Sequence, residues 1–455
     1  MRVTPPPKLN ITDVNIDSPS ALVDKYHQIT DKYLHYDELR HRVRQQQELD
    51  SMWFVINLTR TISLKRFSLL ALAEDENKPG ISTTGVIQRS CSIVDRLTSS
   101  AAEAERYEEF DAGDYLMAEL VAAESIASSQ LEGAATTSRV ALEMIKVGRL
   151  PRDESEKMIM GNYRMMNFVA EHAGDEVTLD YILELHRVAV VGVNDDNYAP
   201  GQFRQGEDNV AVVDLEGNVI HTPPPAAQLQ ERLTRLCEFI NTPHETYQGE
   251  KYLHPLVKSS IIHFMMGYLH PFRDGNGRSA RALFYAYMLK CGYTAFRYIS
   301  ISKLLKNAPA QYVKSYLYTE TDGMDLTYFV NYQSEIIARA VQEYIDYIRN
   351  IIRTREELTR WFYRSGLLTK LNGRQRDIVL MAISQPGVLF SASEIAERMG
   401  VAENTARDDL KKLAELGIMR VLKEGKGKVY TSPKSIRDLK KWHQKKNSVL
   451  STQDW

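Results

Sequence analysis

Cysteine is scarce in this chain of 455 residues, and Cys91, Cys237 and Cys291 are too few and too scattered for a disulfide framework or a zinc cluster. Buried, inert thiols in a reducing compartment are the expectation. No apolar run approaches the roughly 20 residues needed to span a bilayer. The N-terminus, Met-Arg-Val-Thr-Pro-Pro-Pro, lacks the apolar core of a secretion signal. An excess of charge is missing too: the net is −2, which gives no global pull toward nucleic acid or membrane. Internal repeats and low-complexity tracts are absent. What is present is 43% hydrophobic residues, ample for real cores, and a length that predicts two to four domains at about 150 residues each. We expect a soluble cytoplasmic enzyme with no membrane partner.

The densest chemistry runs from His270 to Arg281, H-P-F-R-D-G-N-G-R-S-A-R. Gly275, Asn276 and Gly277 suit a tight loop whose backbone N–H groups converge on an anion. Ser279-Ala-Arg-Ala-Leu-Phe-Tyr-Ala-Tyr-Met follows as a helix, so the loop feeds a helix N-terminus, which favours phosphate. Arg278 and Arg281, three apart, can reach one polyphosphate. Asp274 is spaced to hold a divalent cation, and carboxylate with phosphate oxygens is what Mg2+ prefers. A neutral His270 can take a proton from an incoming hydroxyl. The reading is a nucleotide-handling site.

This stretch resembles the signature of Fic-domain proteins, H-x-F-x-[D/E]-G-N-G-R-x-x-R, at every defined position. Gly201-Gln-Phe-Arg204 and His221-Thr-Pro-Pro-Pro225 also look like features of that family. Ser128-Ser-Gln-Leu-Glu132-Gly133 is similar to its inhibitory motif, [S/T]-x-x-x-E-[G/N]. The likeness covers Tyr115 to Arg339. It implies a helical domain that moves AMP from ATP onto a Tyr, Thr or Ser hydroxyl of a protein, itself included. By that resemblance His270 is the general base and Asp274 binds magnesium. Gly275, Asn276 and Gly277 line the anion hole, Arg278 steadies the phosphates, and Arg281 grips the γ-phosphate. Phe272 anchors the loop. Gly277 stands where kinase-like Doc relatives carry Lys, which favours attack on the α-phosphate. Glu132 would pair with Arg281 and so inhibit; the family also allows it to activate a water that removes AMP. UMP or phosphocholine as the transferred group stays open.

The expected architecture is mainly α: a Fic helical bundle with a β-hairpin flap, then a C-terminal winged-helix domain. The boundaries read 1–113 for an N-terminal helical region and 114–340 for the Fic domain, with inhibitory helix 114–133 and flap 202–222. A helical linker follows at 341–366, the winged helix at 367–433 and a basic tail at 434–455. An extended arm opens the chain, with one or two amphipathic helices from Ala21 to Thr61. Pro79-Gly80 reads as a turn within a loop, and helix runs from Gly85 to Arg149. Glu154 to His172 and Thr178 to Val191 are helices, Thr178 and Asp180 acting as caps. Val210-Ala-Val-Val213 and Val219-Ile220 flank Asp214-Leu-Glu-Gly-Asn218, a hairpin signal. In the family this is a flap beside the site, putting Val212 and Val213 near the nucleotide; target segments can add to its edge. Tyr312 and Tyr316, at i and i+4, are candidates for the adenine pocket.

A carboxylate at Glu132, the C-terminal end of the helix from Tyr115 to Leu131, sits at the wrong pole of the helix dipole, which hints at a partner elsewhere. From Leu367 to Trp455 there are 17 Lys+Arg against 10 Asp+Glu, a net of +7, leaving −9 for the rest. Ala392 to Leu410 resembles a helix-turn-helix with Gly400 in the turn, and Ile418 to Thr431 a wing. Ala406, Leu410 and Leu413 would face the core; Glu403, Asn404, Arg407, Asp408 and Lys411 would face out. The two carboxylates oppose DNA, whereas Lys426, Lys428, Lys440, Lys441, Lys445 and Lys446 favour it, so DNA binding and protein docking both stay open. So do a homodimer and a transcriptional regulator that senses nucleotide without turning it over.

Overall fold

The structure, a computed structural model, describes residues 3–99, 114–190, 192–193, 199–214, 216–244, 252–384, 389–424, 427–431, 433 and 435–451. It divides into two units, Met1–Glu103 with Ala122–Val341, and Ala104–Val121 with Gln342–Trp455. The larger unit opens with α1 (Pro19–Ile29), the single-turn α2 (Tyr36–Leu39) and α3 (Gln46–Ser63). They close on a small core that includes Leu34, Leu39, Met52 and Trp53. Three helices therefore stand where one or two were expected. Strands β1 (Lys65–Arg66) and β2 (Gly80–Ile81) pair antiparallel, so Pro79-Gly80 enters a strand where the sequence suggested a turn. Helices α4 (Gly85–Thr98), α5 (Asp114–Leu131) and α6 (Ser138–Val147) replace the continuous helix expected to Arg149. The break after Leu131 is made by Gly133 at φ +99°, with the Ala134 N–H turned back to the Ser129 carbonyl, the usual way a glycine ends a helix.

Helix α7 (Glu154–Glu171) is capped by Asp153, and α8 (Leu179–Val190) by Thr178, whose hydroxyl accepts from the Tyr181 N–H at 3.1 Å. The two approach closely at Gly161, where a Cβ would lie 1.9 Å from the Ala189 carbonyl oxygen. The flap follows as β3 (Val212–Val213) and β4 (Val219–His221), shorter than its sequence signal, with Asp214 accepting from the N–H groups of Glu216 and Asn218 across the turn. Then come α9 (Leu229–Asn241), α10 (Pro255–Leu269) and α11 (Asn276–Lys290). Helices α10 and α11 are buried almost all round, α10 as its mostly apolar sequence requires and α11 in spite of Arg278 and Arg281, and they form the most extensive helix pair among the described residues. Lys258 of α10 is fully buried. Its ammonium donates to the last carbonyls of α9, Ile240 at 2.9 Å and Thr242 at 2.7 Å, and lies 4.5 Å over the Tyr287 ring. Helices α12 (Ser302–Asn307) and α13 (Pro309–Thr321) precede α14 (Thr327–Arg364), which belongs to the smaller unit from Gln342 onward.

The smaller unit adds α15 (Gly373–Ser384), β5 (Leu389–Phe390), α16 (Ala392–Met399), α17 (Glu403–Glu415), β6 (Arg420–Glu424), β7 (Gly427–Thr431) and α18 (Ile436–Ser451). The sheet order β5-β7-β6 and Gly400 at φ +62° between α16 and α17 make a winged helix. Ala406, Leu410 and Leu413 are fully buried with Ile378, Met381 and Ile395, while Glu403, Asn404, Arg407, Asp408 and Lys411 face out, as the heptad-like spacing predicts. The expected basic tail is instead the helix α18. Ile436 and Leu439 enter the core and Arg420 stacks 3.8 Å over Trp442, so its lysines cover one face of a packed element. Lys426 and Lys446 lie where no side chain is described. Among the described residues no helix is long and apolar enough to cross a membrane.

Candidate functional site

Helix α10 ends at His270, which takes the left-handed conformation at φ +47°. That is costly for a non-glycine residue, by about 1 kcal/mol, and needs outside support. Arg204 supplies it. Its Nε donates to the His270 carbonyl at 2.8 Å, its Nη2 to the Pro224 and Leu269 carbonyls, and its own N–H to the Pro271 carbonyl at 2.8 Å. A guanidinium at a helix C-terminus satisfies stranded carbonyls and suits the dipole. Among the described residues the His270 ring is held by Nδ1 against the Gly267 carbonyl at 3.2 Å. A carbonyl only accepts, so Nδ1 carries the hydrogen and Nε2 keeps its lone pair. Burial, assisted by the neighbouring His221 and Arg204, pulls the His270 pKa down to about 4, against the opposing effects of Gly267 and Glu132. At neutral pH the ring is an uncharged base.

The loop after it is closed by Asn276, whose side chain bonds both backbone groups of Phe272 at 2.8 Å. That side chain is spent on loop closure, leaving only its backbone to face a ligand. Phe272 is fully buried and stacked on His186 at 3.8 Å. His186 donates from Nε2 to the Asp274 carbonyl and accepts at Nδ1 from the Gly201 N–H, so it is neutral, and burial lowers its pKa to about 4. Gly275 at φ +80° starts α11, and its N–H bonds the Asp274 carboxylate. The first-turn N–H groups of α11 have no partner within the helix. Arg278 and Arg281 are both buried, Arg278 beneath Gly275 and His186, Arg281 toward Glu132.

Glu132 reaches this turn from the end of α5. Its Oε1 lies 2.8 Å from Arg281 Nη2, and a Cβ on Gly277 would fall 2.2 Å from the same oxygen. Ser128 accepts from Arg281 through its hydroxyl at 2.9 Å and its carbonyl at 3.2 Å. Among the described residues Arg281 Nη1 is buried with no hydrogen-bond partner within bonding distance, a donor left for an anionic oxygen. Burial opposes the charge on Arg281, yet the Glu132 carboxylate keeps its pKa raised. Farther along the same wall, the Tyr312 hydroxyl lies 2.8 Å from His263 Nε2, and Tyr316 packs on Phe264 and over Gly267, where a Cβ would come within 2.4 Å of its hydroxyl. Val212 is half-buried and Val213 exposed on the flap.

Of the residues singled out from sequence, His270, Asp274, Gly275, Asn276, Gly277, Arg278 and Arg281 share the α10–α11 turn and Glu132 reaches it. Tyr312 and Tyr316 lie along α10, and Val212 and Val213 stand on the flap strand β3. Sequence reasoning missed His186 and Glu320 and left Arg204 and His221 without roles. Arg204 and His221 lay in recognised motifs, but the partners that define all four are distant in the chain.

Residues 176–288 match the Fic/DOC family and residues 374–427 an HTH domain, so the chain carries a Fic/DOC domain followed by a C-terminal HTH domain. Protein adenylyltransferase Fic of Drosophila virilis is 32% identical over 118 residues, 26% of this chain and 21% of that protein. The Drosophila persimilis protein of the same name is 31% identical over 26% of this chain and 20% of its own length. The chain therefore spans about a fifth of the length of these curated relatives. Among solved structures, a Fic family protein from Desulfovibrio desulfuricans is 19% identical with a TM-score of 0.49, covering 78% of this chain and 98% of its own. Fic-1 from C. elegans is 19% identical with a TM-score of 0.44, covering 73% and 84%.

Proposed function

We propose that this chain is a protein adenylyltransferase that moves AMP from ATP to a Tyr, Thr or Ser hydroxyl of a protein target and is restrained by Glu132 competing for Arg281. The observation that carries this reading is the Glu132 carboxylate resting on the first turn of α11, 2.8 Å from Arg281 and against the bare face of Gly277. A turn that accepts a carboxylate of its own chain through a buried guanidinium, beside first-turn N–H groups that the helix itself leaves unpaired, offers the same donors to phosphate oxygens. In transfer, His270 Nε2 takes the proton of the target hydroxyl, its oxygen bonds to the α-phosphorus, and the bond to the departing diphosphate breaks. The N–H groups of Gly275, Asn276 and Gly277, with Arg278 and Arg281, meet the charge spread over the phosphates, which is most of what such a reaction asks of a protein. Tyr312 and Tyr316 flank the adenine, and Val212 and Val213 present the flap edge to the target.

Among the described residues no three acidic, histidine or cysteine side chains converge on a metal. A lone carboxylate nevertheless suits Mg2+, which takes its other ligands from phosphates and water, so Asp274 would hold it. When bound, the ion supplies charge neutralisation at the phosphates. Cys91, Cys237 and Cys291 form no disulfide among the described residues, which suits a cytoplasmic setting. Glu132→Gly raises transfer of labelled AMP to protein at least tenfold and His270→Ala abolishes it; a Glu132→Gly protein no more active than wild type at saturating ATP and magnesium sinks the inhibitory assignment.

The HTH domain favours a second role, contact with DNA. Its outward helix α17 holds Arg407 to Glu403 and Asn404, which mutes its basic character and leaves protein docking as the competing use. A pure nucleotide sensor has no use for the unprotonated His270 beside an anion site, so that alternative is the weaker one.

A further inference from the structure

At the root of the flap the His221 ring is buried with an acceptor on each side. Nδ1 lies 2.7 Å from Glu320 Oε2 on α13, and Nε2 lies 2.9 Å from the Tyr268 carbonyl on α10. A carbonyl can only accept, so Nε2 bears a hydrogen; an ionised carboxylate can only accept, so Nδ1 bears one too. A neutral imidazole has one N–H and would set lone pair against lone pair at one of these short contacts. His270 and His186 differ: each faces one carbonyl, and His186 receives an N–H on its other side. The charged and titratable groups around His221 are Glu320 from α13, Tyr268 from α10 with its ring 5.3 Å away, Arg204 from the segment before the flap, and His270 itself.

We propose that His221 is a resident imidazolium, a positioning residue whose fixed charge keeps His270 unprotonated and whose ion pair with Glu320 fastens the flap root to the helix bearing Tyr312 and Tyr316. The proposal rests on the reading of His270 as the general base. Burial works against a charged His221, but the Glu320 carboxylate and the Tyr268 carbonyl hold its pKa above the ordinary histidine value. For His270 the largest depressing influence is burial, with His221 the first of the charges that add to it. The base acts only unprotonated, so activity is lost as pH falls through the His270 pKa. Removing the neighbouring cation raises that pKa and moves the acid limb to higher pH. A purely structural flap anchor would lower the rate at every pH and leave the limb where it was.

Two measurements test this. In the full chain labelled with 15N-histidine, NMR at pH 7.5 shows both His221 ring nitrogens protonated and His270 neutral; a neutral His221 overturns the proposal. In a Glu132→Gly background, Glu320→Gln and His221→Asn each move the acid limb of kcat/KM upward by about one pH unit. A lower rate with an unmoved limb overturns it as well. A Glu132→Gly protein that transfers no AMP at any pH defeats the adenylyltransferase reading, while the NMR result still decides the charge on His221.

Discussion

At the scale of single residues, the site depends on groups that would touch no substrate. Asn276 is the plainest case: one amide satisfies both backbone groups of Phe272 and shapes the anion turn before any ligand arrives. Asn276→Ala leaves a buried N–H and C=O without partners and costs roughly 2–4 kcal/mol. Transfer should fall by about two orders of magnitude although His270, Arg278 and Arg281 are intact; denaturant unfolding and kcat measured together check this, and an unchanged kcat refutes it. Arg204 does the same for His270 by taking the carbonyls that a left-handed residue leaves exposed. None of this is visible in spacing. The twelve residues from His270 to Arg281 announce their chemistry because the loop is local, whereas Arg204, His186, His221 and Glu320 acquire meaning only from partners tens of residues away.

Among the elements, α5 matters most, since it delivers Glu132. It is fixed by a second carboxylate, Glu124, which is buried and accepts from Ser300 Oγ at 2.8 Å, the Ser302 N–H at 3.0 Å and the Ser302 hydroxyl. Burial raises the Glu124 pKa against these bonds. Glu124→Ala should loosen the helix, cost about 2–3 kcal/mol, and raise labelled-AMP transfer several-fold toward the Glu132→Gly level. Transfer equal to wild type would show that α5 is held by other means. Long elements punctuated by glycine and proline, such as α10, α11 and α14, were legible in the sequence. Single turns such as α2 fall below the length at which periodicity can speak. Helix α18 was mistaken for a tail because its lysines outnumber the few apolar residues, Ile436 and Leu439 among them, that dock it.

For the molecule as a whole, acid is the informative stress. His35, His186 and His270 lie in the larger unit, and burial pulls their pKa values to about 3, about 4 and about 4. A histidine with a depressed folded-state pKa contributes stability that is complete above the unfolded value near 6.5 and disappears as pH falls toward the folded value. His221, with a raised pKa, offsets part of one histidine's share in the same window, while Glu124, Asp322 and Asp325, also raised, act in the opposite sense only near and below the ordinary carboxylate range. The melting temperature should therefore drop by several degrees between pH 7 and pH 5, before any carboxylate compensates; a flat profile over that window refutes the assignment of neutral buried histidines. The ammonium of Lys258, shut inside the larger unit by two carbonyls and an aromatic face, has a practical corollary. Amine-acylating reagents will tag surface lysines within seconds and reach this one only when α9 and α10 part, so its labelling half-life is a built-in clock for the opening of the core.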